Sequence, residues 1–158
     1  MEYLAGLLHD AGKLLIEHYL PREFESVLER AWSQKRGHFI AEREMFAIDH
    51  AQIGAALCHG LQVHPHVRTA VWFHHRPTDP HLLRRAGGDK GLLAAVGGFA
   101  DVLAHKASET LGHERQTDTP YDQLPEWRQL TEFDPIHGLE LDTESDLAAA
   151  ETDLKAFT

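Results

Sequence analysis

Four short stretches of this chain carry residue types that hold metals and phosphates. His9-Asp10-Ala11-Gly12-Lys13 places an imidazole, a carboxylate and an ammonium almost side by side. Adjacent residues on a helix diverge by about 100°, so His9 and Asp10 would grip one object from the two edges of a single face. Lys13 falls one turn later on that face. Such a trio suits a divalent cation together with an anionic ligand such as phosphate. A surface ion pair beside an ordinary helical glycine would leave the same trace. Gly12 inside a helix costs about 1 kcal/mol against alanine, which points to close approach by a neighbouring helix or a substrate.

The second stretch is His74-His75, which continues the apolar positions Val67, Ala70 and Val71 at helical spacing. Two histidines at the end of a buried stripe need partners, and a metal or a carboxylate would serve. The alternative is a pair at a helix C-terminus, favoured there by the macrodipole when protonated. Asp101 is the third, set in the apolar run Leu92–Ala104. It is either on an exposed edge or buried beside a cation, with His105 one turn on as a plain structural partner. His50 is the fourth, in the first turn of a helix capped by Asp49, where a ligand and an exposed side chain are equally at home. His18, His38, His59, His64, His66, His81, His113 and His137 fall in loops, helix ends or polar faces and read as solvated or locally hydrogen-bonded. Cys58 reads as a small core residue. Trp32, Trp72 and Trp127 read as core or interface residues.

The elements that must position these groups read as helices. A first runs from Tyr3 to about Tyr19 along Leu4, Leu7, Leu8, Leu14 and Leu15. Pro21 opens a second, with Phe24, Val27, Leu28 and Trp32. Gly37 precedes a third over His38–Phe46. Asp49 and Gln52 form a capping box for a fourth, through Ile53, Ala56 and Leu57 to Gly60. Pro65 begins a fifth that Arg76-Pro77 closes, and a sixth spans about Lys90–Ala107. Residues 113–125 read as a connector, Leu124–Phe133 as a short helix, and Thr143–Phe157 as an acidic amphipathic helix. Sustained alternation with β-branched residues is lacking, so the class is all-α.

Composition narrows the partners. The 158 residues hold 15 lysines and arginines against 25 acids, a formal charge of −10. That balance argues against duplex nucleic acid or an anionic membrane as the main partner, since both call for a basic face. Protonating all 13 histidines would carry the charge to +3, so behaviour between about pH 5 and 7 is expected to depend on pH. A single cysteine and no secretory pattern fit a reducing cytoplasm. The longest apolar run, Leu92–Ala100, has nine residues, far short of the roughly 18 of a membrane span.

Taken together, Leu7-Leu8-His9-Asp10-Ala11-Gly12-Lys13 resembles the signature of the HD superfamily of metal-dependent phosphohydrolases. Asp49–Ala56 and Trp72-Phe73-His74-His75-Arg76-Pro77 resemble its HDOD branch, a bacterial signalling or output domain. The related HD-GYP branch hydrolyses cyclic di-GMP. The resemblance covers about residues 3 to 107 and implies an HD-domain-like helical bundle. It implies metal ligation by His9, Asp10, His50, His74, His75 and Asp101, with Asp10 bridging two divalent transition metals. Iron or manganese would be the usual occupants, and zinc is compatible. Lys13 would hold a phosphate oxygen, and the metals would activate water for attack on phosphorus.

The implied function is a signalling domain with a phosphodiesterase-like site for a nucleotide or cyclic dinucleotide. The alternative is a non-catalytic output module that keeps the metal site as structure or sensor. The family's upstream metal histidine has no counterpart in the eight residues before His9, and the Gly-Tyr-Pro element of the cyclic di-GMP hydrolases is absent after His75. An HD-like core over residues 1–112 lacking N-terminal helices is therefore expected, followed by a connector and C-terminal helices over 113–158. An uncovered apolar helix face would favour self-association, beside any signalling protein partner.

Overall fold

The computed structural model describes residues 1–76, 79, 89–107 and 120–131. Its helices are α1 (Glu2–Leu8), α2 (Ala11–Tyr19), α3 (Pro21–Gln34), α4 (His38–Phe46), α5 (His50–Gly60), α6 (Pro65–Phe73), α7 (Asp89–Ala107) and α8 (Pro125–Thr131), with a 3₁₀ turn at Tyr121–Gln123 before α8. No strand occurs among the described residues, as an all-α fold requires. The expected helix over Thr143–Phe157 and most of the connector lie outside the described residues, as do His81, His113 and His137.

The single helix expected over Tyr3–Tyr19 is two. The chain turns at His9 and Asp10, where Asp10 adopts φ −100° and ψ 5° before α2 begins. The Lys13 amide donates to the Asp10 carbonyl at 2.9 Å, a tight first turn. The His9 ring takes up a carbonyl that α1 leaves open at its end, with Nδ1–H donating to Gly6 O at 2.6 Å. A straight helix would splay His9 and Asp10 apart around its axis, whereas the turn aims both at the bundle.

Several other boundaries follow from residues visible in the sequence. Pro21 stands at the first position of α3 and Pro65 at that of α6. Asp49 caps α5 with both halves of the capping box formed: it accepts from the Gln52 amide at 2.9 Å, and its own amide donates to Gln52 Oε1 at 3.1 Å. The Asp49 carboxylate is also bound by the Arg43 guanidinium, whose Nε donates at 2.6 Å. Helix α6 stops at Phe73, one residue before the histidine pair, which lies in the following turn.

The core inverts the leucine stripes. Leu7 and Leu14 are 63% and 67% exposed, and the residues that α1 and α2 bury are Ala5, Gly12 and Ile16. Helix α5 likewise buries Ala51, Gly54, Ala55 and Cys58 rather than Ala56. Small faces let backbones approach. A Cβ on Gly12 would sit 1.9 Å from the His50 carbonyl oxygen, and one on Gly98 would sit 2.3 Å from that of His74. The close approach suggested by Gly12 is thus made by a helix, α5.

Around this contact α5 packs on α2 and α6, and α6 packs on α7. The central core joins Ala5, Ala55, Cys58, Val67, Ala70, Val71 and Leu93. Leu124, Trp127 and Leu130 pack on Ala95, Phe99 and Val102 and hold residues 120–131 against α7. On the other side α3 and α4 share Val27, Ala31 and Ala41. Trp127 is therefore a core residue, while Trp32 and Trp72 are exposed.

Candidate metal centre

The turn after α1, the start of α5 and the turn after α6 meet at the Asp10 carboxylate, and the middle of α7 lies alongside at His9. Its Oδ1 lies 3.2 Å from His50 Nε2 and 3.8 Å from His74 Nε2. Its Oδ2 accepts from Lys13 Nζ at 2.9 Å and lies 3.5 Å from His9 Nε2. His75 Nε2 is 2.8 Å from His50 Nε2. One ligand atom from each of Asp10, His50, His74 and His75 falls within 4.8 Å of the others, a group able to hold a metal ion. Beside it, Asp101 Oδ1 lies 3.5 Å from His9 Nε2 and 3.1 Å from His105 Nδ1, and Asp101 Oδ2 lies 3.9 Å from His75 Nδ1. All seven residues singled out from the sequence, from His9 to Asp101, are brought into one cluster. His105 is the partner of Asp101 that their one-turn spacing suggests.

Hydrogen bonds orient the rings. His50 Nδ1–H donates to Glu42 Oε2 at 2.7 Å, and His74 Nδ1–H donates to the Val71 carbonyl at 2.7 Å. With His9 held by Gly6, three imidazoles have Nδ1 engaged with an oxygen and Nε2 turned to Asp10. This is how ligating histidines are commonly fixed in tautomer and direction. Among the buried polar atoms that make no hydrogen bond are Asp10 Oδ1 and His74 Nε2. Unmet buried polar atoms are costly. A cation between them would satisfy both, and a carboxylate with imidazoles suits iron, manganese or zinc. The residues present fit a divalent transition metal.

Electrostatics agree with the geometry. Burial and then the charge of His50 push His74 down to about 4, which keeps its Nε2 lone pair free. Burial opposes charge on His50, but Asp10 and Glu42 outweigh it and raise the imidazole to about 9. Burial likewise works against the charge of Asp10, and His50 and Lys13 overcome it, so its carboxyl stays well below the usual range. Asp101 is lowered too, by His105 and His9 against the opposing burial.

Sequence reasoning missed Glu42. It is fully buried, and besides the His50 ring it accepts from the His50 backbone amide at 2.7 Å. A signal was present. Glu42 falls three residues after Phe39 and four before Phe46, an acid on the apolar side of its helix. Phe39 was missed as well: its ring stacks on His75 at 4.6 Å between centroids. Among the described residues, no helix is long and apolar enough to cross a membrane.

The comparisons agree with this architecture. The family model for the HDOD domain matches residues 1–77. No curated protein matches the chain. A solved structure, an HDOD domain protein with unknown function from Geobacter sulfurreducens, is similar over 98% of this chain with a TM-score of 0.69 and 22% identity. This chain spans half the length of that protein. The matched segment contains the turn at His9 and Asp10, the capped start of α5 and the histidine pair. Residues 1–77 belong to the HDOD domain family.

Proposed function

We propose that this chain is an HDOD-type signalling domain with a metal-dependent phosphohydrolase site, phosphodiesterase-like, for a nucleotide or cyclic dinucleotide. The observation that carries the reading is the pair of buried, unbonded atoms, Asp10 Oδ1 and His74 Nε2, facing each other at 3.8 Å. His50, His74, His75 and Asp10 would hold one ion, and His9, Asp10 and Asp101 a second. Bound there, divalent metal supplies Lewis-acid stabilisation of a phosphoryl group and a more acidic water. The chain's own contribution is orientation. Glu42 fixes His50, Val71 O fixes His74, and Lys13 offers its ammonium to a phosphate oxygen when it leaves Asp10. The single buried Cys58 suits a reducing cytoplasm, where we place the protein.

The test is metal content together with turnover of a panel of nucleotides and cyclic dinucleotides, with and without Asp10→Ala. Metal and turnover lost together support the enzyme, and absence of metal from the parent chain overturns the site.

A second reading has one observation in its favour. Lys13 is only 16% exposed and already bound to Asp10 at 2.9 Å, so its charge serves the cluster itself. A signalling module that keeps the metal as structure or sensor would use Lys13 in this way. Metal bound with no turnover on the panel would select it. Exposed Tyr3, Leu7 and Leu14 would then be the natural surface for a protein partner or a second copy.

A further inference from the structure

A cleft of about 400 Å³ runs between α1 and α7 and ends at His9 and Asp101. Its volume lies within the range of small-molecule pockets. Its walls are largely apolar, with Tyr3, Ala5 and Gly6 on one side and Leu93, Val96 and Gly97 on the other. Gly6 and Gly97 differ from the glycines that seat one helix on another, and share an open Cβ position with Gly60 at the exposed end of α5. Gly12, Gly54 and Gly98 would each press a Cβ against a neighbour, but a Cβ on Gly6 or Gly97 meets nothing within 4 Å. Both lie inside helices, where glycine is weaker than alanine. Packing therefore gives no reason for either glycine, and both line the cleft. The charge of the lining is also informative. Among the described residues it contains no lysine or arginine, and its two carboxylates are Glu2 and Asp101.

We propose that this cleft receives the uncharged, largely apolar body of a ligand whose single phosphoryl head reaches the metal centre at the His9–Asp101 edge. The proposal rests on the metal-centre reading and narrows it. A flat apolar ring would lie against these walls. A second phosphate, as in a cyclic dinucleotide, would lie against apolar wall and carboxylates, with no lysine or arginine among the described lining residues to receive it. The ligand class is a monophosphate or phosphonate of an aromatic or similarly apolar group.

Calorimetry on the Mn(II)-loaded full chain tests this with phenylphosphonate, methylphosphonate and cyclic di-GMP as probes. Phenylphosphonate is expected to bind at least about tenfold more tightly than methylphosphonate, from burial of the ring. Gly97→Leu fills the cleft and should erase that preference while leaving manganese content unchanged. Gly6→Leu, on the opposite wall, should do the same and serves if the first variant folds poorly. Equal binding of the two phosphonates, or tighter cyclic di-GMP binding unaffected by either variant, overturns the proposal. So does a dimer that Gly97→Leu dissociates, since the cleft would then seat a second copy. Fluorescence titration of the metal-free chain with 1-naphthol separates the cleft from the metal reading. Naphthol binding that Gly97→Leu weakens supports the cleft even if manganese is not taken up, and insensitive binding overturns it.

Discussion

On one side of Asp10, the rings of His50, His74 and His75 converge with Oδ1 and His74 Nε2 left unbonded. On the other side, Asp101 is engaged by His9 and His105, the latter 3.1 Å away and itself placed one turn along α7. The two halves contain the same residue types, yet among the described residues only the first brings four ligand atoms together within 4.8 Å of one another. In the second, the buried carboxylate already has an imidazole on either side, His9 and His105. The first half is therefore expected to take a metal tightly, and the second less tightly, because an ion there must displace His105 from Asp101.

The sharpest way to break this comparison is Gly12→Ala. The added methyl would strike the His50 carbonyl, so α2 and α5 must separate, at an expected cost of about 3 kcal/mol or more. Thermal unfolding should show the loss and metal analysis an empty tight site. A variant as stable as the parent would mean that the helix contact is not holding His50. Next in size is Glu42→Gln, which weakens the orientation of His50 from behind. Metal affinity in the first half should fall by about 10- to 100-fold, with the fold retained in circular dichroism. An unchanged affinity would show that Glu42 serves packing alone.

A pH series probes the same half. In the metal-free chain His50 is raised to about 9 despite the opposing burial, above an unfolded value of about 6.5. Its charge thus stabilises the metal-free fold fully below about 6.5, and that contribution is lost as pH rises through about 9. A metal competes with the same proton. The gap in Tm between Mn(II)-loaded and metal-free protein should widen from pH 6.5 to 9, and a flat gap would remove His50 from the ligand set. In the second half, His105→Ala removes the nearest partner of Asp101. A second equivalent of manganese should then bind a few-fold more tightly, read by competition with a fluorescent chelator. Weaker binding would make His105 a support rather than a competitor.

The smallest expected effect lies away from the centre. Ala47 ends α4 at φ 63°, a left-handed conformation that suits glycine better. Ala47→Gly should raise stability by about 0.5–1 kcal/mol in urea unfolding without altering metal affinity. A change in affinity would tie the end of α4 to the Glu42–His50 bond.

The sequence was most legible where one residue has one structural use. Pro21, Pro65 and the Asp49–Gln52 box each mark a helix start that the fold contains, and Val67, Ala70 and Val71 lead to His74 as spaced. It was least legible where bulk stood in for burial. Leu4, Leu7 and Leu14 draw the eye to a stripe, but the contacts that form are the small ones, Gly12 on α5 and Ala5 in the central core, because only small residues let α2 approach α5 closely enough for Asp10 to reach His50. The break at His9 and Asp10 was hidden for a related reason. Neither residue is a helix breaker, and the turn depends on a ring-to-carbonyl bond that no spacing rule announces. Glu42 was overlooked because its partner, His50, belongs to the next helix. A pairing of this kind becomes visible only once α4 and α5 are set side by side.

The Gly12 contact has a consequence for motion. With the Gly12 backbone seated against the His50 carbonyl and the Gly54 amide, α2 and α5 can neither slide nor roll past each other. Any fluctuation that frees His50 has to lift α2 away as a unit. Amide hydrogens of α5 should therefore exchange with solvent at the rate of that opening, and a bound ion should leave no faster than the two helices part.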